Sequence, residues 1–273
     1  MTQDILNLLL QLRHTRTPHA LATVVEVLGS SSAKISAKAV IDPVGHVLAG
    51  WVGGGCAKSM VAEMALQCLQ TGDSQMIDID LNDEVFGAGM PCGGQMRVFV
   101  EPILPKPRLW LTGHGRIVEA LCHFALQMEL DVIINDAQAH LDRLPSACHL
   151  ITDDLRYQQL QPDVGDFVVI ASHHKGDYEA LIRCLASRVA YIGMIASRKR
   201  ASLILNRLSR QGYSAEDLSR ICTPAGLDLG AKLPEEIALA VMAEIVALRR
   251  GGHGGFLQDK NIGLEKTAVD RSD

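Results

Sequence analysis

Apolar and polar residues alternate through much of the first third of the chain, and this pattern predicts a mainly β region. The runs 20–29, 75–81 and 95–102 alternate strictly or are rich in Val and Leu, as strands are. Residues 38–50 hold two apolar runs on either side of Asp42-Pro43-Val44-Gly45. Because Pro and Gly favour tight turns, this segment is predicted to form a hairpin.

Two stretches of the same region have helical spacing instead. The N-terminal segment 1–14 predicts a short amphipathic helix. A second predicted helix ends at Gly72, a residue that suits a helix C-terminus. The apolar residues of this second helix recur at helical spacing: Met60, Val61, Met64, Ala65, Cys68 and Leu69.

The rest of the chain alternates predicted strands with predicted helices. The strands are 109–113, 132–136, 166–172 and 189–195, and the helices are 115–130, 177–187, 198–211 and 235–250. Such alternation, with strands rich in Val and Ile, indicates a parallel sheet covered by helices on both faces. Three prolines within 101–109 mark a domain boundary, because proline blocks regular strand pairing and stiffens a linker.

We therefore predict an α/β protein with two domains. Residues 1–104 form a small N-terminal mixed α+β domain, and residues 105–256 form a Rossmann-like parallel-sheet domain. The polar tail 257–273 is predicted to be disordered.

Composition and charge narrow the class of protein. The chain has 273 residues, a formal net charge of −5 and 48% hydrophobic residues, so a nucleic-acid-binding role is not expected. No apolar run reaches the ~18 residues that a membrane span requires. The start has no basic leader, and the seven cysteines form no spaced disulfide framework. These features predict a cytoplasmic protein with free thiols.

Two cysteines lie in unusually glycine-rich surroundings. Gly53, Gly54 and Gly55 lead into Cys56 at the start of a predicted helix, and Cys92 precedes two further glycines. A helix N-terminus favours the thiolate of Cys56, and glycines leave both Cys56 and Cys92 uncovered, so both are candidate reactive residues. Two thiols could bind a soft metal such as Cu(I), carry a persulfide or ligate molybdenum. Alternatively, the glycines form turns and the cysteines fill small volumes as buried hydrophobic residues.

A second candidate site follows the strand 109–113. Gly113, His114, Gly115 and Arg116 form a Gly-x-Gly turn that opens a helix, and Asp136 ends the next strand, where a ribose-binding acid is expected. The third glycine of a dinucleotide-binding motif is absent. Either this turn binds a nucleotide such as NAD, or it is a tight turn without a ligand.

Two later segments reach the same edge of the predicted sheet. One carries the polar residues His173, His174, Lys175 and Asp177, which either contact a ligand at this edge or are solvated loop residues. A two-histidine metal site is not favoured, because adjacent side chains diverge. The other places the helix cap Ser197 before Arg198. Positive charge at a helix start opposes the helix dipole, which indicates an anionic ligand unless these chains only extend into water.

Several segments together resemble the XdhC/CoxI family of molybdenum-cofactor accessory proteins. They are GSSSAKISAKAV, GWVGGGCAKS, GAGMPCGGQMRVFVEP, GHGRIVE, SHHKGDYEAL, YIGMIASRKR and PAGLDLGAKLPEEIALAVMAEIVALRRGG. The sequences of the segments GWVGGGCA and GHGRI most resemble those of the CoxF-like branch, which is associated with carbon monoxide dehydrogenase maturation. Lys58 departs from relatives that have an acidic residue there.

The resemblance implies a homodimeric chaperone more than a stand-alone catalyst. Such a protein binds a molybdopterin-type molybdenum cofactor, which could be a dinucleotide form. It assists sulfuration with a donor such as a cysteine desulfurase, and it delivers the cofactor to a molybdenum hydroxylase client. The resemblance also maps the family's glycine-flanked cysteines onto Cys56 and Cys92. The alternative function is an NAD(P)-dependent oxidoreductase, which leaves both cysteine loops without a role.

Overall fold

A computed structural model describes residues 2–29, 32–80, 94–172 and 176–257 of the protein. The chain divides into two compact units, Met1–Pro105 and Lys106–Asp273. Cys92, the segment 173–175 and almost all of the polar tail lie outside the described residues. Within the described ranges, every helix is too short or too polar to cross a bilayer.

The first unit is a five-stranded antiparallel sheet with two helices, as the sequence predicts. Its strands are β1 (His19–Gly29), β2 (Lys38–Ile41), β3 (Val47–Gly50), β4 (Gln75–Asp80) and β5 (Gly94–Ile103), in the order β3-β2-β1-β5-β4. Its helices are α1 (Thr2–His14) and α2 (Gly55–Thr71). Helix α2 ends on Gly72 in the left-handed conformation, which confirms the predicted stop.

Each helix of the first unit covers one face of the sheet. The buried stripe of α2 repeats at helical spacing and consists of Ala57, Val61, Ala65 and Cys68. It packs on strand residues such as Ala20, Ala22 and Val98. Helix α1 packs through Ile5 and Leu12 on Leu21 and Val40. Leu21 lies between Ala20 and Ala22 in β1, so its side chain points to the opposite face of the sheet.

The second unit contains a six-stranded parallel sheet. Its strands are β6 (Arg108–Thr112), β7 (Asp131–Asn135), β8 (His149–Ile151), β9 (Phe167–Ile170), β10 (Tyr191–Met194) and β11 (Ile221–Cys222). Its helices are α3 (Arg116–Gln127), α4 (Asp177–Leu185), α5 (Arg198–Arg210), α6 (Ala215–Ser219) and α7 (Pro234–Arg250). The order β11-β10-β9-β6-β7-β8 is that of a Rossmann sheet, so the predicted fold class is confirmed.

Helices cover both faces of this parallel sheet. Leu109 and Leu111 of β6 pack in one buried cluster with α3 and α7, whereas Trp110 packs in a second cluster with α4 and α5. Adjacent residues of a strand point to opposite faces, so β6 is buried on both sides. The strands β8 and β11 were not predicted from the sequence, because they are only 3 and 2 residues long.

A buried carboxylate fixes the amino end of β6. Asp166, directly before β9, is 1% exposed. Its Oδ1 accepts a hydrogen bond from the Arg108 amide at 2.9 Å, and its Oδ2 accepts from the Arg108 guanidinium and the Trp110 indole. Because charged buried groups need such partners, this network holds β6 and β9 in register at the edge opposite the glycine turn.

Helix α7 buries one side of its middle turns. Val241 and Ile245 are fully buried, as the helical spacing predicts. The same spacing predicted that Leu248 faces the core, and this prediction was wrong, because Leu248 is 55% exposed. Leu248 lies in the last turn of α7, which ends at Arg250.

Candidate functional site

The glycine turn lies at the point where the strand order of the parallel sheet reverses. Strand β6 pairs with β7 on one side and β9 on the other, and ligands of Rossmann sheets bind beyond the carboxyl ends of such strands. Gly113 follows β6 with a φ of +118°. A Cβ built on Gly113 would lie 2.4 Å from the carbonyl oxygen of Ala171, which follows β9. Gly113 therefore serves close packing of two backbones.

Gly115 has a different role from Gly113. It precedes α3 with a φ of +91°, and a Cβ placed there would meet no atom of the described residues within 4 Å. Among the described residues, no side chain caps the start of α3. The first amides of a helix have no intrahelical partner, so this open N-terminus can bind an anion such as phosphate. Val118, at the position of the missing third glycine, is buried in the core cluster.

His114 and Asp136 lie side by side above this turn. His114 Nδ1 is 3.2 Å from Asp136 Oδ1, and the Gln138 amide donates to the same oxygen at 2.6 Å. In the part of the chain that the structure describes, Asp136 Oδ2 accepts no hydrogen bond. That oxygen is therefore available to accept one from a ligand hydroxyl, such as that of a ribose.

Arg116 forms an ion pair with Glu235 at the protein surface. Its guanidinium donates to Glu235 Oε1 at 2.7 Å, and the side chains are 68% and 50% exposed. An ion pair this exposed stabilises little, so Arg116 can exchange Glu235 for an anionic ligand at small cost.

A buried polar network lies under the carboxyl ends of β6 and β7. Asn135 donates to Asp154 Oδ2 at 2.8 Å, and the amides of Gln158 and Gln159 donate to the same carboxylate. Burial alone would raise the pKa of Asp154, but these hydrogen bonds outweigh it and lower the pKa. The Asp154 carboxylate thus stays charged and fixes the segment that follows it.

Thr112 has a buried hydroxyl group whose hydrogen-bonding capacity is not used by the described residues. It stands opposite Asn135 in the register of β6 and β7, and it is fully buried. Its Oγ1 has no hydrogen-bond partner among the described residues. Thr112 and Asn135 are polar residues that each end a buried strand, and this pattern could have identified them as site residues. We did not use this pattern.

Asp177 corrects the sequence-based interpretation. We predicted that it contacts a ligand, but it is 3% exposed and its two oxygens accept hydrogen bonds from Ser172 and Arg200. The carboxylate therefore anchors the end of β9 to α5. Burial lowers the pKa of Arg200, but the guanidinium lies against this carboxylate. His173, His174 and Lys175 lie outside the described residues.

Tyr157 covers the start of α4. A Cβ on Gly176, the residue before α4, would lie 2.6 Å from the Tyr157 hydroxyl oxygen, so only glycine allows this contact. Burial, and next the charges of Asp136 and Glu179, raise the pKa of Tyr157. The phenol is therefore neutral at physiological pH. Sequence reasoning missed Tyr157 because it lies in a loop without regular spacing.

Ser197 caps α5, as predicted: its hydroxyl accepts a hydrogen bond from the Arg200 amide at 3.3 Å. Arg198 is exposed beside it. Of the basic residues 198–200 at this helix start, Arg200 is occupied by Asp177, whereas Arg198 makes no ion pair within the described ranges. Arg198 remains a candidate for an anionic ligand.

The loop before α7 packs as a structural element. The Gly226 amide donates to Glu244 Oε2 at 2.8 Å, and the Tyr191 hydroxyl donates to the same oxygen at 2.5 Å. Burial, followed by the hydrogen bond to Glu244, raises the pKa of Tyr191. This network ties the Gly226 backbone to α7 and to β10.

In the first unit, Cys56 occupies the first turn of α2. The residue before the helix is Gly54, which provides no side-chain cap, and Cys56 is half-buried. A Cβ on Gly53 would lie 3.3 Å from the Met96 methyl group of β5. Cys92 precedes β5 in the sequence but lies outside the described residues, so the predicted proximity of the two cysteines stays a prediction. Among the described residues, no group of three or more potential metal ligands is found.

Two protein-family models match this chain. The XdhC Rossmann domain matches residues 109–245, half of the chain's length. The XdhC and CoxI family matches residues 12–80.

Three named proteins resemble the chain. YqeB of Escherichia coli (strain K12) is 29% identical over 90% of this chain and 46% of its own length. A protein of Bacillus subtilis (strain 168), named as a probable component of xanthine dehydrogenase, is 33% identical over 56% of this chain and 46% of its own length. The chain thus spans about half of these two relatives.

The molybdenum cofactor insertion chaperone PaoD of Escherichia coli (strain K12) is 21% identical over 84% of this chain and 83% of its own length. Among solved structures, a xanthine dehydrogenase from Bacillus halodurans is 23% identical, with a TM-score of 0.48 over 90% of this chain and 95% of the other.

Proposed function

This chain belongs to the XdhC family, and we propose that it is an accessory protein that carries the molybdenum cofactor as cargo. In this proposal the protein binds the cofactor, protects it during maturation and passes it to a molybdenum hydroxylase. The names of two relatives, one a molybdenum cofactor insertion chaperone and the other a probable component of xanthine dehydrogenase, support this role.

One structural observation carries the proposal: the open, uncapped start of α3 stands beside Asp136. Gly115 leaves free space in front of the helix amides, which suit a phosphate group. Asp136 Oδ2 accepts no hydrogen bond in the described part of the chain and suits a ligand hydroxyl. A phosphorylated pterin or its dinucleotide form supplies both groups. We assign the phosphate end of the cargo to this turn.

The cysteine loops supply different chemistry. Thiolates bind soft metals and accept sulfur, whereas hydroxyls do so poorly. We propose that Cys56 and Cys92 act on the sulfur or metal of the cargo. Sulfuration requires a donor, for which we propose a cysteine desulfurase. A CoxF-like role with carbon monoxide dehydrogenase, which adds Cu(I), and a homodimeric assembly belong to the same proposal.

The cargo site predicts a specific loss of binding in Gly115→Val. The valine side chain fills the space in front of α3, so we expect at least a tenfold weaker affinity for molybdopterin cofactor, about 1.4 kcal/mol. The matched control is Gly165→Val. Gly165 also has a positive φ of +84° and open surroundings, but it lies before β9 at the opposite sheet edge. Anaerobic titration followed by cofactor fluorescence measures both variants.

Equal affinity in the two glycine variants would refute the assignment of the phosphate site. If the protein binds NAD, oxidises a small substrate with it and leaves the pterin unbound, the oxidoreductase alternative is correct. Because Gly115→Val and Gly165→Val both strain the backbone, their unfolding curves are recorded first and binding is compared at a temperature where both are folded.

The cysteine proposal predicts loss of client activation in Cys56→Ser. We expect this variant to bind the cofactor through the glycine turn yet activate a cofactor-free molybdenum hydroxylase about tenfold less, since serine is a poor sulfur acceptor. Cys222→Ser is the control, because Cys222 is half-buried at an edge strand of the parallel sheet. The assay counts active hydroxylase per cofactor supplied. If Cys56→Ser activates the hydroxylase fully, the cysteine proposal is refuted and the glycines beside Cys56 serve only to form turns.

A further inference from the structure

Helix α7 presents an apolar stripe on its outer side. Its inner side is buried in the core cluster through residues such as Val241 and Ile245. On the outer side, Leu239 is 46% exposed, Val246 is 37% exposed, and Ala243 between them is half-buried. Exposed apolar residues that follow one another along a helix face mark a surface that binds a partner.

The stripe has the spacing of a contact line between two helices. Leu239, Ala243, Val246 and Arg250 follow one another at steps of four, three and four residues. This alternation keeps their side chains on one line along the helix, as in a coiled coil. The small side chain of Ala243 lies in the middle of the line, where it allows a second helix to approach closely.

The two ends of the stripe carry opposite charges. Glu235 and Glu236 lie in the first turn of α7, and Arg249 and Arg250 lie in its last turn. Glu236 precedes Ala243 by seven residues, and Arg250 follows it by seven. The outer side of α7 is thus acidic at one end, apolar in the middle and basic at the other end. Such a surface is complementary to a second copy of itself that runs in the opposite direction.

We propose that two copies of this chain associate through α7 as an antiparallel helix pair centred on Ala243. In this pair Glu236 faces Arg250 of the partner subunit, and Leu239 packs beside Val246 of the partner subunit. Each contact occurs twice, because the interface has twofold symmetry. This assignment rests on the homodimer of the proposed function and is independent of the cargo that the glycine turn binds.

The interface reaches a residue that holds the glycine turn. Glu235 accepts a hydrogen bond from Arg116 at 2.7 Å. Because Glu235 lies in the first turn of α7, the last turn of the second copy stands next to it in the antiparallel pair. Arg250 of the partner subunit then lies beside the carboxylate that binds Arg116. The second copy therefore adds a positive charge to the surroundings of the glycine turn.

Sedimentation velocity of the full-length protein over a concentration series tests the interface. Interfaces below about 1,200 Å² form weaker, reversible complexes, and a contact centred on one helix belongs to this class, so the dimer should build up with concentration. Leu239→Glu should weaken the dimer about tenfold or more, because it buries an unpaired charge in the apolar stripe. The matched control is Leu203→Glu, since Leu203 is 63% exposed on α5, which packs on the other face of the parallel sheet.

Introduced cysteines test the direction of the pair. In Ala243→Cys the two new thiols face each other across the twofold axis, so mild oxidation with copper phenanthroline should join two chains covalently. Ser209→Cys, at an exposed position of α5, is the control, and the unchanged protein gives the background from the native cysteines. Arg250→Cys should not join two chains by itself, because the ends of an antiparallel pair carry the two thiols far apart.

Each of the following results would overturn the assignment. A protein that stays monomeric at every concentration would refute both this interface and the homodimer of the proposed function, whereas the comparison of Gly115→Val with Gly165→Val tests the cargo site separately. A dimer that tolerates Leu239→Glu would refute the α7 interface alone. Covalent joining through Arg250→Cys by itself would show a parallel pair. Circular dichroism of the glutamate variants, recorded first, establishes that a lost dimer does not reflect a lost fold.

Discussion

Replacing Gly113 with alanine should destabilise the parallel-sheet unit strongly. The new Cβ would stand 2.4 Å from the Ala171 carbonyl oxygen, a backbone atom that cannot move without displacing the end of β9. The φ of +118° adds strain for any residue with a Cβ. Strain of this kind costs about 1–3 kcal/mol, and overpacking adds about the same, so we expect a loss of about 2–6 kcal/mol.

Gly115→Ala is the control, because it shares the strain but not the collision. Among the described residues, a Cβ at Gly115 meets no atom within 4 Å, so we expect only backbone strain of about 1–3 kcal/mol. Urea unfolding followed through Trp110, which is buried in the same unit, measures both variants. If the two substitutions cost the same, then β6 and β9 do not approach each other as closely as described.

Replacing Ile245 with alanine should cost about 2–5 kcal/mol of unfolding free energy. The side chain is fully buried, and it packs in the cluster that joins α7 to α3 and to the sheet. Truncation removes its buried methyl and methylene groups and leaves a cavity that the surrounding helices fill only in part. Urea unfolding at constant m-value is the measurement, since a changed slope would report an altered denatured state.

Leu248→Ala supplies the comparison within the same helix. Leu248 is 55% exposed, so its truncation should change stability by no more than about 0.5 kcal/mol. Both substitutions keep helix propensity close to its optimum, because alanine is the best helix former. A similar loss in both variants would mean that the last turn of α7 is covered in solution.

The sequence carries the fold of the second unit to a large extent. Apolar runs of Val and Ile that alternate with helical spacing specify a parallel sheet, and the chain order then places Gly113 and Asp136 at one edge. Strands as short as Ile221–Cys222 leave no such pattern, since two residues have no period. The exposure of Leu248 also escapes the pattern, because spacing reports the direction of a side chain and not whether an element lies opposite it.

The site was less predictable than the fold. Gly113 and Gly115 look alike in the sequence, yet one packs on a neighbouring backbone and the other faces open space. A polar residue after a strand can face a ligand or an internal partner, and Asp177 does the latter through Arg200, which lies on a different element.

The Asp166 network lies at the edge of the parallel sheet away from the glycine turn. Its hydrogen bonds to Arg108 and Trp110 set the strand register from the amino edge of the sheet. A substitution of His114 or Asp136, at the carboxyl edge, leaves these hydrogen bonds in place. The pairing of β6 with β9 is therefore expected to survive changes at His114 and Asp136, whereas replacing Asp166 would remove the acceptor of the Arg108 guanidinium and the Trp110 indole.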